Sequence, residues 1–202
     1  MKLYYAPGAC SLAPHIVMQE AHFKFDLEEV DLGKKVTAKG EDYTKVNPKG
    51  YVPALRLDDG QVLTEGVAIM QYLADQKPES GLAPKAGTME RYRLMEWLNF
   101  ISTEIHKSFS PLWNPKTPEE TKQNQRNLLG RRVDYLAAQL NGKQFLMGDK
   151  FSVADAYLFT VLNWTNMLKF DLGKWPVIKD YMARVAARPR VVETMKAEGL
   201  IK

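Results

Sequence analysis

The sequence is poor in cysteine, in histidine and in long apolar stretches. Its 202 residues include one cysteine, Cys10, and three histidines. One cysteine excludes a disulfide within the chain, and three isolated histidines show no metal-ligand spacing, so we expect no metal site. The longest apolar-rich stretch, residues 153–164, is interrupted by Asp155 and is far shorter than the roughly 18 residues of a membrane helix. We therefore expect no membrane partner.

Long runs of one charge are also missing. No run of lysine or arginine exceeds two residues, and the basic side chains are interleaved with acidic ones, as on solvated helices. The net charge is +4, with 9 basic and 12 acidic residues at positions 1–80 against 19 and 12 in the remainder. This pattern argues against a nucleic-acid partner and suits a small anionic ligand at least as well.

The composition is that of an ordinary globular protein, with 45% apolar and 26% charged residues. Disordered and collagen-like chains are excluded. The apolar run ahead of Pro7 is only a few residues, against about 7 to 15 in a secretory signal, so the small residues before Cys10 do not indicate export. We expect a cytoplasmic protein.

Helix breakers concentrate at residues 77–87, between two segments of different periodicity. Before this stretch the patterns follow the order β-α-β-α-β-β-α, which with a right-handed crossover is the thioredoxin-like order. After it every periodic segment has helical spacing. We therefore predict an α/β thioredoxin-like domain at 1–80, a linker at 81–87 and an all-α helical bundle at 88–202.

The same patterns predict the individual elements. Asp58-Asp59-Gly60 between two short apolar runs indicates a hairpin, and Ser152 with Asp155 forms a capping-box variant that begins a buried helix. The predicted strands are residues 2–5, 25–31, 54–57 and 61–63, and the predicted helices are 12–21, 66–75, 89–109, 118–140, 153–168, 176–187 and 191–198. Residues 37–46 are expected to be irregular or helical.

Cys10 ends a loop between the first predicted strand and the first predicted helix. The dipole and the N–H groups of a helix start favour a thiolate. A lone cysteine is more often an inert core residue, but this position in a thioredoxin-like order favours a reactive thiol. The segment 10–13 has no second cysteine to resolve a mixed disulfide. Thiol chemistry here therefore requires a second thiol from a small molecule.

Two further motifs suit an extended peptide ligand. If the Val52-Pro53 bond is cis, the backbone of Val52 can pair with a peptide; if it is trans, the proline merely begins an edge strand. Thr64-Glu65-Gly66 opens the next helix, where backbone amides can bind a carboxylate and Gly66 admits close approach. Glu65 either binds an ammonium group or complements the helix dipole.

Taken together, these motifs resemble a known family over essentially the whole chain. The stretches that resemble it are Lys2-Leu3-Tyr4-Tyr5, Pro7-Gly8-Ala9-Cys10-Ser11, Asn47-Pro48-Lys49-Gly50, Val52-Pro53-Ala54-Leu55, Leu63-Thr64-Glu65-Gly66-Val67-Ala68-Ile69, Asn99, His106-Lys107, 151–159 and Glu198-Gly199-Leu200. They are similar to those of bacterial beta-class glutathione S-transferases. The resemblance implies a thioredoxin-like domain followed by a helical domain, a cytosolic homodimer, and glutathione as cosubstrate without a cofactor.

The resemblance also implies which groups act on the sulfur of glutathione. Cys10 faces that sulfur and stands at the centre of the catalytic group. Other classes of the family steady the thiolate with a tyrosine or serine hydroxyl, and here Tyr5 and Ser11 are the candidates.

For the rest of glutathione the resemblance implies four contacts. Val52 pairs with the cysteinyl backbone, and Lys35 meets the glycine carboxylate. Glu65 and the amide of Gly66 hold the γ-glutamyl end. Gly66 stands where many other classes have serine, so its backbone N–H has to serve without a side-chain donor.

The helix predicted from Met89 has two distinct faces at 100° per residue. Its apolar stripe consists of Leu94, Leu98, Ile101 and Ile105, and its polar stripe consists of Asn99, Thr103 and His106. Spacing alone assigns the polar stripe to solvent. The resemblance instead implies that Asn99, Thr103 and Glu104 reach across a dimer interface, and that His106 handles a proton or a hydrogen bond near the sulfur.

The second substrate calls for an apolar pocket beside the thiolate. Phe109, Trp113 and Trp164 are the candidates for its lining. We therefore predict a glutathione transferase that adds the glutathione thiolate to hydrophobic electrophiles. Two alternatives stay open: a thiol transferase that works through a Cys10 mixed disulfide, and a non-catalytic protein of this fold that binds ligands or partners.

Overall fold

A computed structural model describes all 202 residues. The chain forms two compact units, one of Met1–Ala83 together with Ala187–Lys202 and the other of Pro84–Ala186. No helix is both long and apolar enough to cross a membrane.

The first unit is built on a mixed five-stranded sheet. Its elements are β1 (Lys2–Tyr5), α1 (Leu12–Glu20), β2 (Asp26–Asp31), β3 (Val36–Thr37), β4 (Ala54–Arg56), β5 (Val62–Thr64), α2 (Gly66–Gln76) and, from the end of the chain, α8 (Pro189–Ala197). The strand order is β3-β2-β1-β4-β5, with β1 parallel to β2 and the other pairs antiparallel. This is the predicted thioredoxin-like sheet, and the hairpin of β4 and β5 is confirmed.

Residues 37–46 were expected to be irregular or helical, and the structure differs from this expectation at the start of the stretch. Residues 36–37 pair with β2 as a short edge strand, and a 3₁₀ turn follows at Tyr43–Lys45. Asp42 begins that turn by accepting the N–H of Thr44 at 2.9 Å. Two paired residues are too few to leave an alternating pattern in the sequence.

The second unit is helical. It contains α3 (Met89–Phe100), a π-helical turn (Ile101–His106), a 3₁₀ turn (Lys107–Phe109), α4 (Ser110–Trp113), α5 (Glu119–Leu140), α6 (Val153–Met167) and α7 (Pro176–Ala186). The apolar stripe predicted for the first of these helices is buried, with Leu94, Leu98, Ile101 and Ile105 at 0% exposure. The segment predicted as a helix over 89–109 is helical throughout, but its hydrogen-bonding pattern widens to a π turn at Ile101 and tightens to a 3₁₀ turn at Lys107. Such π turns often occur at functional sites, and this one ends at His106.

The predicted capping box of α6 is present and buried. The Ser152 N–H and hydroxyl donate to Asp155 Oδ2 at 2.9 and 2.8 Å, and Leu146 N–H donates to Oδ1 at 2.9 Å. The Tyr181 hydroxyl lies 3.1 Å from the same Oδ1. Asp155 therefore ties three segments of the helical unit together, which supports a structural role for it and for Ser152.

The end of the chain packs differently from the prediction, which included it in a helical domain at 88–202. The α8 helix belongs to the unit that contains the sheet. The guanidinium of Arg188 holds the Glu20 carboxylate of α1 with two hydrogen bonds of 2.7 and 2.9 Å. The predicted domain and linker limits themselves remain a prediction.

Candidate active site

Cys10 lies in the loop between β1 and α1 and is partly buried. Its thiol donates to the carbonyl oxygen of Val52 at 3.2 Å, and the Val52-Pro53 peptide bond is cis. The structure thus places Cys10, predicted for the glutathione sulfur, next to Val52, predicted for the cysteinyl backbone. The Val52 carbonyl is an acceptor that an extended peptide can also use.

Ser11 holds the loop that carries Cys10. Its side chain is fully buried, and its hydroxyl donates to the Ala6 carbonyl and accepts the Ala6 N–H, both at 3.2 Å. The single hydroxyl proton is thus donated to the backbone, and the side chain holds the loop. A catalytic role for Ser11 remains a prediction, and it would require this hydrogen bond to be given up.

Tyr5, the other hydroxyl candidate, is also nearly buried. Its ring packs against His15 with centroids 6.2 Å apart. Burial raises the pKa of Tyr5, and the Glu29 and Glu198 carboxylates raise it further. The phenol therefore keeps its proton at neutral pH, which suits a hydrogen-bond donor and not a base.

The buried carboxylate of Glu198 supports the loop that carries Cys10, and the sequence predicted no role for it. Glu198, just after α8, accepts the Gly8 N–H at 2.9 Å with Oε2 and contacts His15 Nδ1 at 2.8 Å with Oε1. The side chains of His15 and Glu198 are both fully buried. A separation of 183 residues gave no local signal for this pair.

The residues predicted for the two ends of glutathione meet the loop at 47–51. Lys35 donates to the Gly50 carbonyl at 2.7 Å. Glu65 adopts a φ of 69° at the start of α2, and its Oε1 accepts the Tyr51 hydroxyl at 2.8 Å and the Lys49 ammonium. Lys49 and Tyr51 had no predicted role, although Lys49 lies within the Asn47-Pro48-Lys49-Gly50 motif.

In the helical unit the predicted aromatic residues converge on Trp164. The ring of Phe109 lies 5.5 Å and that of Trp113 lies 6.2 Å from it, and the His106 ring lies 4.8 Å away. Phe109 is fully buried whereas Trp113 is 45% exposed. The cluster therefore combines a buried apolar wall with an exposed aromatic edge, and its use as an electrophile pocket remains a prediction.

His106 has a partner, Tyr157, for which the sequence predicted no role. The Tyr157 hydroxyl lies 2.7 Å from His106 Nδ1. Desolvation lowers the pKa of His106 to about 4, and the neighbouring Lys107 adds to the effect. At neutral pH His106 is therefore an uncharged imidazole, in which one ring nitrogen donates a hydrogen bond and the other accepts one.

This shift predicts a pH dependence of stability. The pKa of about 4 in the folded protein lies below the ordinary 6.5, so the unfolded chain binds more protons between these values and stability falls as pH drops. A loss of about 3 kcal/mol is expected between pH 6.5 and 4. Urea unfolding at several pH values should show this loss in the wild type and in a His22→Gln control, and not in His106→Gln. Parallel curves for all three proteins would contradict it.

The polar stripe of the helical unit is only partly available to a partner. Asn99 and Thr103 are exposed, and the Thr103 hydroxyl donates to the Asn99 carbonyl at 3.0 Å. Glu104 forms an ion pair with Arg132 at 2.5 Å. A contact from Glu104 to a partner's ligand thus competes with Arg132, a constraint that the sequence did not reveal.

The reactive group that the structure places at this site is the Cys10 thiol. No group of three histidine, cysteine, aspartate or glutamate side chains is placed to hold a metal ion. The thioredoxin-like sheet presents a thiol before its first helix, next to the Val52 carbonyl of a cis Val-Pro peptide bond. This arrangement defines a protein of the thioredoxin-like class with a thiol site.

Comparison with known proteins identifies the family. Residues 8–76 match the glutathione S-transferase N-terminal domain and residues 100–189 the glutathione S-transferase C-terminal domain. The glutathione S-transferase GstA of Escherichia coli O157:H7 is 50% identical over 200 residues, which are 99% of this chain and 100% of GstA. The chain belongs to the glutathione S-transferase family.

Solved structures agree over nearly the full length. A glutathione transferase from Methylococcus capsulatus str. Bath is 65% identical with a TM-score of 0.98, covering 99% of both chains. A beta-class enzyme from Sphingomonas chungbukensis and a sphingomonad glutathione S-transferase complexed with glutathione are each 45% identical with a TM-score of 0.96, covering 100% of both chains. The chain thus has the fold of the bacterial beta class.

Proposed function

We propose that this protein binds glutathione on the unit that contains the sheet and activates its thiol for attack on hydrophobic electrophiles. The observation that carries the proposal is the position of Cys10 before α1, with its sulfur on the Val52 carbonyl. The cysteinyl N–H of glutathione can replace that thiol as the donor to Val52. The glutathione complex of the sphingomonad relative supports this choice of ligand.

The two ends of glutathione match charged groups of the same unit. Glu65 offers a carboxylate to the α-ammonium of the γ-glutamyl group, and the Gly66 N–H at the start of α2 offers a donor to its α-carboxylate. Lys35 lies beside Gly50 and is assigned to the glycine carboxylate. These assignments give glutathione a direction along the site, with its sulfur at Cys10.

The reaction is a nucleophilic substitution or addition by the glutathione thiolate. With an aryl halide a carbon–sulfur bond forms, the carbon–halogen bond breaks, halide leaves with the electron pair, and the thiol proton passes to solvent. Phe109, Trp113 and Trp164 are the proposed apolar lining for the electrophile. His106, uncharged at neutral pH, is the proposed hydrogen-bond partner of the sulfur. Glutathione is the cosubstrate, and no cofactor is needed.

A second activity is favoured by the position of the partly buried Cys10 thiol in the loop before α1. The Cys10 thiolate can attack a glutathione mixed disulfide, forming a bond to the glutathione sulfur and releasing the other thiol. A second glutathione thiolate then attacks this adduct, which yields oxidised glutathione and restores Cys10. A non-catalytic ligand-binding role, the third possibility, needs neither Cys10 nor Glu65 nor His106.

The quaternary structure proposed is a cytoplasmic homodimer. Beside Asn99 and Thr103, the aromatic rings of Trp97, Phe100 and Tyr135 pack together along a groove of about 690 Å³, and Tyr135 is 48% exposed. An exposed aromatic cluster with charged neighbours is typical of a protein interface. In a two-fold dimer each site would be completed by the partner's copy of the polar stripe.

One titration tests the function and the dimer together. Glutathione is added to the protein over a hundredfold range of protein concentration, with binding followed by calorimetry and mass by sedimentation. Saturable binding to a dimer that glutathione stabilises against dilution is expected, because the complete site exists only in the dimer. No binding would contradict the function, and a monomer with undiminished affinity would contradict the shared site. Turnover of an aryl halide and of a glutathione mixed disulfide on the same preparation then ranks the two activities.

A further inference from the structure

Glu65 is already engaged by a cation of the chain itself. Its Oε1 accepts the Lys49 ammonium and the Tyr51 hydroxyl, the latter at 2.8 Å. The same ammonium donates to Thr64 Oγ1 at 3.0 Å. Lys49 thus makes, with this carboxylate, the kind of contact that the α-ammonium of a γ-glutamyl group would make.

The backbone holds Lys49 in this position. Buried Asn47 accepts the Lys49 N–H at 3.1 Å and donates to the Tyr51 carbonyl at 2.6 Å. The fully buried Tyr43 donates to that carbonyl at 3.0 Å. Because Asn47 and the Tyr51 carbonyl are fixed from the core, the loop holds the backbone of Lys49 within side-chain reach of Glu65.

We propose that Lys49 competes with the α-ammonium of glutathione for Glu65, so that the γ-glutamyl group binds by displacing an internal cation. This inference rests on the proposed function, because it takes Glu65 as the γ-glutamyl site. Lys49 is thereby a specificity-determining residue. A ligand without an ammonium group has nothing to place on Glu65 and leaves the internal ion pair intact.

The charges support this competition at neutral pH. The hydrogen bond to Glu65 raises the pKa of Lys49, so the side chain stays an ammonium. Both side chains are about half exposed, at 46% for Lys49 and 57% for Glu65, so the pair is weak enough to be displaced. The effect on ligand affinity is accordingly modest, about two- to fivefold, and it decreases with salt.

The test uses two ligands that cannot form a disulfide with Cys10. S-methylglutathione carries the α-ammonium, and S-methyl-glutaryl-cysteinyl-glycine lacks it while keeping both carboxylates. Each is titrated by calorimetry into the wild-type protein, into Lys49→Met, and into Lys45→Met, which removes the same charge from an exposed position of the neighbouring 3₁₀ turn. All titrations are repeated at high salt.

We expect Lys49→Met to bind S-methylglutathione about two- to fivefold more tightly than the wild type at low salt, with the difference reduced at high salt. The ligand without the ammonium should gain nothing, and Lys45→Met should match the wild type. Unchanged or weaker binding of S-methylglutathione to Lys49→Met would overturn the inference, as would equal gains for both ligands or the same gain in Lys45→Met. Failure of S-methylglutathione to bind the wild-type protein would instead refute the proposed function.

Discussion

Glu198→Ala is expected to lower the free energy of unfolding by about 1–3 kcal/mol, the range for leaving a buried hydrogen-bonding group without its partner. The substitution removes the acceptor of the Gly8 N–H and the fully buried partner of His15 Nδ1. His15 Nε2 already lacks a hydrogen-bond partner. Without Glu198, neither nitrogen of the buried ring would have one. Urea unfolding monitored by circular dichroism measures the loss.

The matched control is Glu193→Ala on α8, the helix that ends just before Glu198. Glu193 is half exposed and pairs with Arg190 three residues earlier, so its loss should change stability far less. Reaction of Cys10 with a thiol reagent should also quicken in Glu198→Ala under native conditions, because the Gly8 contact holds the loop that carries the thiol. Equal stability of the two variants would show that Glu198 does not secure this loop.

The sequence predicted most of the fold because the relevant signals are local. The hairpin at Asp58-Asp59-Gly60 and the capping box at Ser152 are each determined by a few adjacent residues, and both are present. The π turn at Ile101 left no trace, since it preserves the apolar stripe that the spacing detects. The packing of α8 was missed because the Arg188–Glu20 pair joins residues that are 168 positions apart.

The same distinction applies to the candidate site. Cys10, Val52 and Glu65 stood out because each lies at the junction of a strand, a turn or a helix start, where the backbone itself suits a ligand. Glu198 and Tyr157 have no such local mark, and only the folded chain places them on His15 and His106. The burial of Ser11 was likewise hidden, because its two hydrogen bonds to Ala6 depend on the path of the folded loop.

Cys10→Ala is expected to abolish thiol transfer, by at least about 10³-fold, while conjugation to an aryl halide falls by at most about tenfold. Thiol transfer through a mixed disulfide needs the Cys10 sulfur as one of the bonded atoms, and alanine offers none. Conjugation uses the sulfur of glutathione itself, to which we propose that Cys10 donates one hydrogen bond. Steady-state rates with both substrates on the same preparations measure the two effects.

Cys10→Ser separates the hydrogen bond from the nucleophile. Serine keeps a donor near the Val52 carbonyl, so conjugation should recover towards the wild-type rate, whereas thiol transfer should stay as low as in Cys10→Ala. Oxidised glutathione should add one glutathione to each wild-type chain by intact mass, reversibly with dithiothreitol, and none to either variant. Equal loss of both reactions in Cys10→Ala, without recovery in Cys10→Ser, would make the sulfur obligatory for conjugation. If the wild-type chain stays unmodified, Cys10 is instead an inert thiol. Attack on oxidised glutathione requires that this ligand reach the Cys10 sulfur.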